Sequence, residues 1–289
     1  MDHISYKFLK RLPKQRKLVA ELRQAATVID EAIKALKKGE TIRLDEGEPL
    51  DPLHTVYIAV QHAASIFAER VSVLDEFEPY YEIVLKAEDE YMPSGPPMSP
   101  LTRSYFTTWA FFDLGFGRYK ETLGKCLLDA GTALSFDAKV MDAIRTCSKS
   151  RMGIYEQIGL RGGRCLFKEL ITEEQFECHV PTGYQGKLGE LWYGRVLPPI
   201  APVKYHVFLT TPYILLNFGK EDWTAYLKKS LLDLKVPEGI RLAYFLKHGK
   251  EPNHWHEFIF QGYHHHQSDA IFLAGLPDVP GSLPHGPRD

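Results

Sequence analysis

The sequence predicts an α+β protein: an N-terminal helical bundle followed by a small antiparallel sheet or partly closed β-barrel with C-terminal helices. Three observations predict it. Apolar residues recur at three- and four-residue spacing up to about residue 160, the helical period. Past Gly163 the pattern becomes short runs of β-formers bounded by Gly, Pro and Thr, and after Trp223 helical spacing returns. A length of 289 residues, with 44% hydrophobic and 25% charged, is ample for a sizeable core without disulfides or metals. The expected organisation is a helical bundle over residues 1–160, a β-containing α+β domain over 164–275 and a flexible tail over 276–289.

In the first region, Leu18, Leu22, Ala25, Ile29, Ile33 and Leu36 define an amphipathic helix running from Tyr6 to Lys38 and ending near Gly39. A second helical pattern runs from Pro52 to Tyr91, with Val56, Val60, Ala63, Phe67 and Val71 as its stripe and a break expected at Pro79. The proline-rich segment Pro93–Pro100 cannot continue a helix, because each proline removes a donor and restricts its neighbour. Helical patterns resume from Leu101 to Ile158. Strands are then expected at Cys165–Leu170, Gln175–Val180, Leu191–Val196, Tyr205–Leu209 and Tyr213–Asn217, the first two joined as a hairpin through Thr172–Glu174. Helices follow at Trp223–Leu234, Gly239–Lys247 and from Pro252 to about His265, and Ala270–Leu273 reads as strand or helix end.

Composition narrows the function classes. A formal net charge of −2 gives no general attraction to nucleic acid or anionic membranes, so any such contact must be local. No run approaches the roughly 18 apolar residues of a spanning helix, and the basic start of the chain lacks a secretory pattern. Cytoplasm is the expected compartment. Cys126, Cys147, Cys165 and Cys178 show no C-x-x-C spacing and are expected to be buried free thiols, with Cys165 and Cys178 close together on one hairpin.

The densest chemistry lies near the C-terminus, where five of the twelve histidines, His254, His256, His264, His265 and His266, fall within thirteen residues. On a helix, His254, Glu257, Gln261, His264 and His265 share a polar stripe able to offer nitrogen and oxygen ligands to a divalent transition metal such as zinc. A rise of about 1.5 Å per residue separates His254 from His264 by about 15 Å, so they cannot share one ion. The feasible metal sets are Glu257 with His254, or His264, His265, His266 and Asp269 with a sheet residue such as His179 or His206 and Glu257 as general base. The competing and preferred reading is a half-exposed helix end whose imidazoles complement the helix dipole, with no cofactor.

Charge is uneven: Lys7, Lys10, Arg11, Lys14, Arg16, Lys17 and Arg23 precede an acidic region that includes Asp75, Glu76 and Glu78. The two runs are expected mainly to pair or be solvated, and in the minority case to contact an anionic partner. Tyr105, Trp109, Phe112 and Phe116 read first as a core stripe, while Trp192, Tyr193, Tyr205, Tyr213 and Trp223 are candidates for a shallow platform for a base or peptide. Gly115-Phe116-Gly117 reads as a helix break, and Gly183, Gly186 and Gly189 as turns. No P-loop, G-x-S-x-G elbow or kinase signature occurs, so the sequence does not decide whether the chain is an enzyme. The expected function is a cytoplasmic binding or regulatory protein acting through a macromolecular partner, in the first place a protein. The alternatives are a metal-dependent hydrolase built on the histidine cluster and nucleic-acid binding through the basic N-terminal helix. Oligomeric state has no signature in the sequence.

Overall fold

The computed structural model describes residues 3–41, 50–94, 101–209, 212–215, 219–255 and, for the backbone alone, 271–273. The chain forms two compact units, one of Met1–Glu90, Thr107–Lys149 and Pro199–Val203, the other of Tyr91–Phe106, Ser150–Pro198 and Lys204–Asp289. No helix among the described residues is long and apolar enough to cross a membrane.

The first unit is helical. It holds α1 (Ile4–Arg11), a 3-10 turn at Leu12–Lys14, α2 (Arg16–Lys38), α3 (Pro52–Val71), a second 3-10 turn at Asp75–Phe77, most of α4 (Glu78–Tyr91), the end of α5 (Arg103–Phe112), α6 (Leu123–Ala133) and α7 (Ala138–Ser148). The helix expected from Tyr6 to Lys38 is thus two helices. Pro13 sits in the 3-10 turn between them, since its ring and missing N–H forbid an unbroken α-helix. Helix α2 stops at Gly39, whose left-handed φ of 70° lets the Gly39 and Glu40 N–H groups bond back to the Leu36 and Ala35 carbonyls. The break expected at Pro79 falls earlier, between Val71 and Asp75, because Pro79 is tolerated in the first turn of α4.

Side-chain caps fix where α3, α6 and α7 start. Asp51 accepts the Leu53 and His54 N–H groups at 3.0 and 3.2 Å, Thr122 accepts from Lys125 at 3.1 Å, and Asp137 from Lys139 at 3.0 Å; each such cap contributes about 1 kcal/mol. The buried stripe of α2 (Leu18, Leu22, Ala25, Ile29, Ile33, Leu36) packs along α3. Phe8, Phe67 and Phe77 meet edge to face at 5.4–6.3 Å, with Phe111 on Phe67 and Phe116 on Phe77. Ring pairs of this kind add about 1 kcal/mol each beyond the area they bury.

The second unit is built on a barrel. Its strands are β1 (Arg151–Arg161), β2 (Arg164–Glu169), β3 (Gln175–His179), β4 (Leu191–Leu197), β5 (His206–Phe208), β6 (Tyr213–Leu215) and β7 (Ile271–Leu273), with α8 (Lys220–Leu232) and α9 (Glu238–His248) following β6. Hydrogen bonding runs in the order β1-β2-β3-β5-β4, and β4 returns to β1, so these five strands close, while β6 and β7 extend from β4. The sheet is mixed, because β3 and β5 run parallel. The expected helix up to Ile158 gives way to β1 at Arg151, and Ile271–Leu273 is strand.

Local chemistry sets the register. Arg161 pairs with Arg164 across Gly162 and Gly163, both left-handed at φ 54° and 79°, the requirement of a two-residue hairpin turn whose twist matches its strands. The β2–β3 hairpin places Cys165 opposite Cys178 as buried free thiols, and burial pushes the Cys165 thiol up to about 11. Its turn is held by the buried Glu169 carboxylate, which accepts the Ile171 N–H at 2.9 Å and the Thr172 hydroxyl at 2.8 Å. The barrel is filled rather than hollow: Tyr155, Phe167, Cys165, Cys178, Trp192, Val196 and Phe208 form one buried cluster, with Phe176 and Tyr184 against it.

Candidate functional site

The site begins with the periodicity of α1. At about 100° per residue, Ile4, Ser5 and Phe8 share one side and are buried, while Lys7 and Lys10 fall on another and are exposed, with the exposed Arg11 at the border between the two. Lys14, Arg16 and Lys17 continue the exposed cations through the 3-10 turn into α2, and no acidic residue occurs from His3 to Ala20. Arg11 is partly neutralised by Glu76 at 2.8 Å and Asp75 at 3.6 Å. Among the described residues, Lys7, Lys14 and Arg16 enter no ion pair. The adjacent acidic region therefore pairs with Arg11, in the middle of the stripe, and leaves the cations on either side facing solvent.

Helix α1 has no capping side chain of its own, for His3 at its N-cap makes no such bond. The cap comes from far along the chain. Glu121 is buried, and its carboxylate accepts the Ile4 N–H at 2.7 Å and the Ser5 N–H at 3.3 Å, with His3 Nδ1 at 3.6 Å. A carboxylate there satisfies two N–H groups that no intrahelical carbonyl can reach and lies at the positive end of the helix dipole. The Gly115-Phe116-Gly117 segment delivers it: Phe116 and Glu121 exchange backbone hydrogen bonds at 2.9 and 3.1 Å across a tight turn. Gly117 is left-handed at φ 68°, a conformation that favours glycine, and a Cβ there would lie 2.5 Å from Ile4 Cδ1, so a larger residue would strain the turn and push the end of the Ile4 side chain aside. The next residues, Arg118, Tyr119 and Lys120, are all exposed, and Lys120 itself holds φ 51°, a conformation disfavoured for a residue with a Cβ.

Between α1, this turn and α6 lies an open cavity of about 710 Å³. Its floor is polar: Glu121, Thr122, Ser5 and Asp129, with the Ser5 hydroxyl donating to Asp129 and Lys125 Nζ reaching the same carboxylate at 2.5 Å. Its walls are aromatic. His3 and Tyr119 stack with centroids 4.0 Å apart and planes 18° from parallel, and Tyr6 faces the cavity with Lys10 Nζ 4.4 Å from its ring centroid. Tyr6 is 40% and Tyr119 47% exposed, which is unusual in a unit whose other aromatic rings are mostly buried. Lys120 and Lys125 stand at the rim. The arrangement offers ring faces for stacking, carboxylate oxygens for N–H donors and ammonium groups for anions, all in one concavity.

The residues singled out for metal chemistry are distributed differently. Glu257, His264, His265, His266 and Asp269 lie outside the described residues. His179 and His206 sit on the neighbouring parallel strands β3 and β5, but His206 is in register with Cys178 and His179 with Val207. Side chains alternate faces along a strand, so the two imidazoles project to opposite faces and are not brought together. His206 packs on Phe176 at 4.3 Å, and burial, the largest influence, lowers its pKa to about 4 against a backbone hydrogen bond to Glu177. His254 is also buried, against Trp255 and Phe245, and burial with nearby Lys250 lowers it to about 4. Among the described residues no group of three or more His, Cys, Asp and Glu side chains is disposed to hold a metal ion.

The aromatic platform suggested by Trp192, Tyr193, Tyr205, Tyr213 and Trp223 is corrected by burial, because these rings are between 0% and 8% exposed. Barrel closure buries both faces of β4, so its aromatics are core. Among the described residues the exposed aromatic rings are instead His3, Tyr6, His62 and Tyr119, and of these His3, Tyr6 and Tyr119 lie together. Sequence reasoning missed Ser5, Glu121 and Asp129 altogether, since the contacts that give them a role span 116 to 124 residues. The available signal was the acid-free stretch from His3 to Ala20 together with the paired glycines before Arg118-Tyr119-Lys120.

No protein-family model, curated protein or solved structure matches the chain.

Proposed function

We propose that the protein is a cytoplasmic binding protein that docks an anionic macromolecule on the cationic face of α1 and the start of α2. The observation that carries this reading is the exposed run Lys7, Lys10, Arg11, Lys14, Arg16 and Lys17 with no acidic residue among them. Successive cations in this run follow one another within about one Debye length, which raises the local anion concentration and speeds association even when net charge is near zero. The formal charge of −2 makes the remaining surface repel an anionic ligand, which lowers the overall attraction but restricts docking to the one cationic face. Helix α1 is held firmly for the task by its Glu121 cap and by Phe8 in the core. The filled barrel supports a structural part for the second unit, with aromatics where a small ligand would otherwise lie. Buried thiols fit a reducing compartment.

The test is retention of the purified chain on immobilised heparin, compared with the triple variant Lys7→Glu, Lys10→Glu, Lys14→Glu. All three positions are exposed, so the fold should tolerate them within about 0.5 kcal/mol each. Wild type is expected to be retained at 100 mM salt and the variant to flow through with an unchanged unfolding curve. Equal elution of the two would remove the proposal.

A further inference from the structure

We infer that the cavity beside α1 receives an unstacked base of a single-stranded nucleic acid, whose flanking phosphates run onto Lys10 and Lys14 on one side and Lys120 on the other. This rests on the cationic face being a docking surface and goes further by naming what docks there. Charge alone would suit any polyanion, so the assignment depends on the features that charge does not explain.

The first is aromatic surface left in water. His3, Tyr6 and Tyr119 line one cavity, and two of these rings are already stacked at 4.0 Å, an arrangement that a further planar ring can extend. Sulfate and carboxylate groups gain little from such faces, whereas every base has a π-face to offer. The second is the floor. Each Glu121 oxygen accepts one backbone N–H, at 2.7 and 3.3 Å, and each has a second lone pair, so the carboxylate can still take N–H donors from a base edge. Guanine, adenine and cytosine carry an exocyclic amine; thymine and uracil do not. The third is position. Lys10 lies one turn from Tyr6 on the same helix and over its ring, so a cation stands beside the stacking surface. Lys120 is presented from a left-handed backbone that asparagine or glycine would adopt at less cost, and such outliers concentrate at ligand sites. Finally, about 710 Å³ is room for a nucleotide. A duplex keeps its bases stacked and paired, and would offer only phosphates.

The experiment is fluorescence anisotropy with the full chain and labelled 12-nucleotide probes at 100 mM salt: a mixed-sequence single strand, the duplex of the same sequence, and oligomers of deoxycytidine and of deoxythymidine, with heparin as competitor. The single strand is expected to bind at least about ten-fold more tightly than the duplex. Tyr119→Ala and Tyr6→Ala, each at a half-exposed ring, should each weaken it about ten-fold while leaving heparin binding and the urea midpoint unchanged, and Tyr119→Phe should bind as wild type. The deoxycytidine oligomer should outbind the deoxythymidine one. Equal binding of single strand and duplex, or tyrosine variants that bind as wild type while Lys7→Glu, Lys10→Glu, Lys14→Glu abolishes binding, overturns the base pocket and leaves the cationic face standing. Equal binding of the two homo-oligomers overturns the role given to Glu121. Failure of every probe and of heparin at 50 mM salt overturns the docking surface itself.

Discussion

Replacing Glu121 with alanine probes the contact on which the candidate site is assembled. Two backbone N–H groups of α1, at 2.7 and 3.3 Å, would lose a charged acceptor in a buried setting. Hydrogen bonds to charged groups contribute about 1.5–3 kcal/mol each, and a carboxylate at a helix N-terminus adds up to about 1 kcal/mol. The 3.3 Å bond is long and belongs at the low end. Water entering from the neighbouring cavity would restore part of the loss, which leaves an expected cost of about 3 kcal/mol. Glu121→Gln keeps an acceptor and the side-chain volume but loses the charge, for which about 1–2 kcal/mol is expected. Urea unfolding followed by far-UV circular dichroism measures both, and amide exchange should show protection lost first at Ile4 and Ser5. The order wild type, glutamine, alanine is the expected ranking. An alanine variant as stable as wild type would refute the argument that Glu121 caps α1, and with it the geometry of the cavity floor.

Two further predictions concern the second unit. His206 is neutral and buried with its pKa lowered to about 4 from an ordinary 6.5. The unfolded chain takes up a proton below pH 6.5 that the folded chain refuses until about pH 4, so stability is constant above pH 6.5 and falls between 6.5 and 4. The limit is roughly 3 kcal/mol from this residue. His254 acts in the same direction over the same window, so His206→Phe should halve the acid loss and leave the rest; an unchanged pH profile would contradict the burial argument. A Cβ at Gly194 would lie 2.7 Å from Phe208 Cζ and 2.8 Å from the Tyr105 hydroxyl, whereas one at Gly162 meets nothing within 4 Å and suffers only from φ 54°. Gly194→Ala should therefore cost at least about 3 kcal/mol in urea and Gly162→Ala about 1 kcal/mol, and the reverse order would mean the barrel wall is wrongly drawn.

Much of the fold was legible because it is written in local spacing. The buried stripe of α2 is the one its leucines and isoleucines indicate, whereas Gly162-Gly163, read only as the point where the pattern changes, proves to be the turn of the β1–β2 hairpin. Barrel closure was less legible. It depends on β1 being long enough to pair with β2 along one part and β4 along another, and every residue of β4 from Leu191 to Leu197 is buried, so no alternation announces which face is inside. That is why Trp192 and Tyr193 read as a platform and prove to be core. Proline was misjudged twice: Pro13, passed over in the apolar spacing, breaks the first helix, and Pro79, expected to break one, sits in the first turn of α4. The cationic half of the candidate site was visible as a run of lysines and arginines. Its acidic and hydroxyl half was not, because Ser5, Glu121 and Asp129 meet only after the helices of the first unit have packed, and no short-range pattern encodes that meeting.

The most direct measurement is the salt dependence of binding to a single-stranded 12-mer, taken by anisotropy between 50 and 300 mM salt for wild type and for Lys7→Glu, Lys10→Glu, Lys14→Glu. Each phosphate neutralised on a single strand contributes about 0.7 to the slope of log K against log salt. Five or so contacts along the stripe predict a wild-type slope near −3 to −4, falling toward zero in the variant. A wild-type slope near zero, or one the charge reversals leave unchanged, would contradict the claim that this face binds an anionic partner.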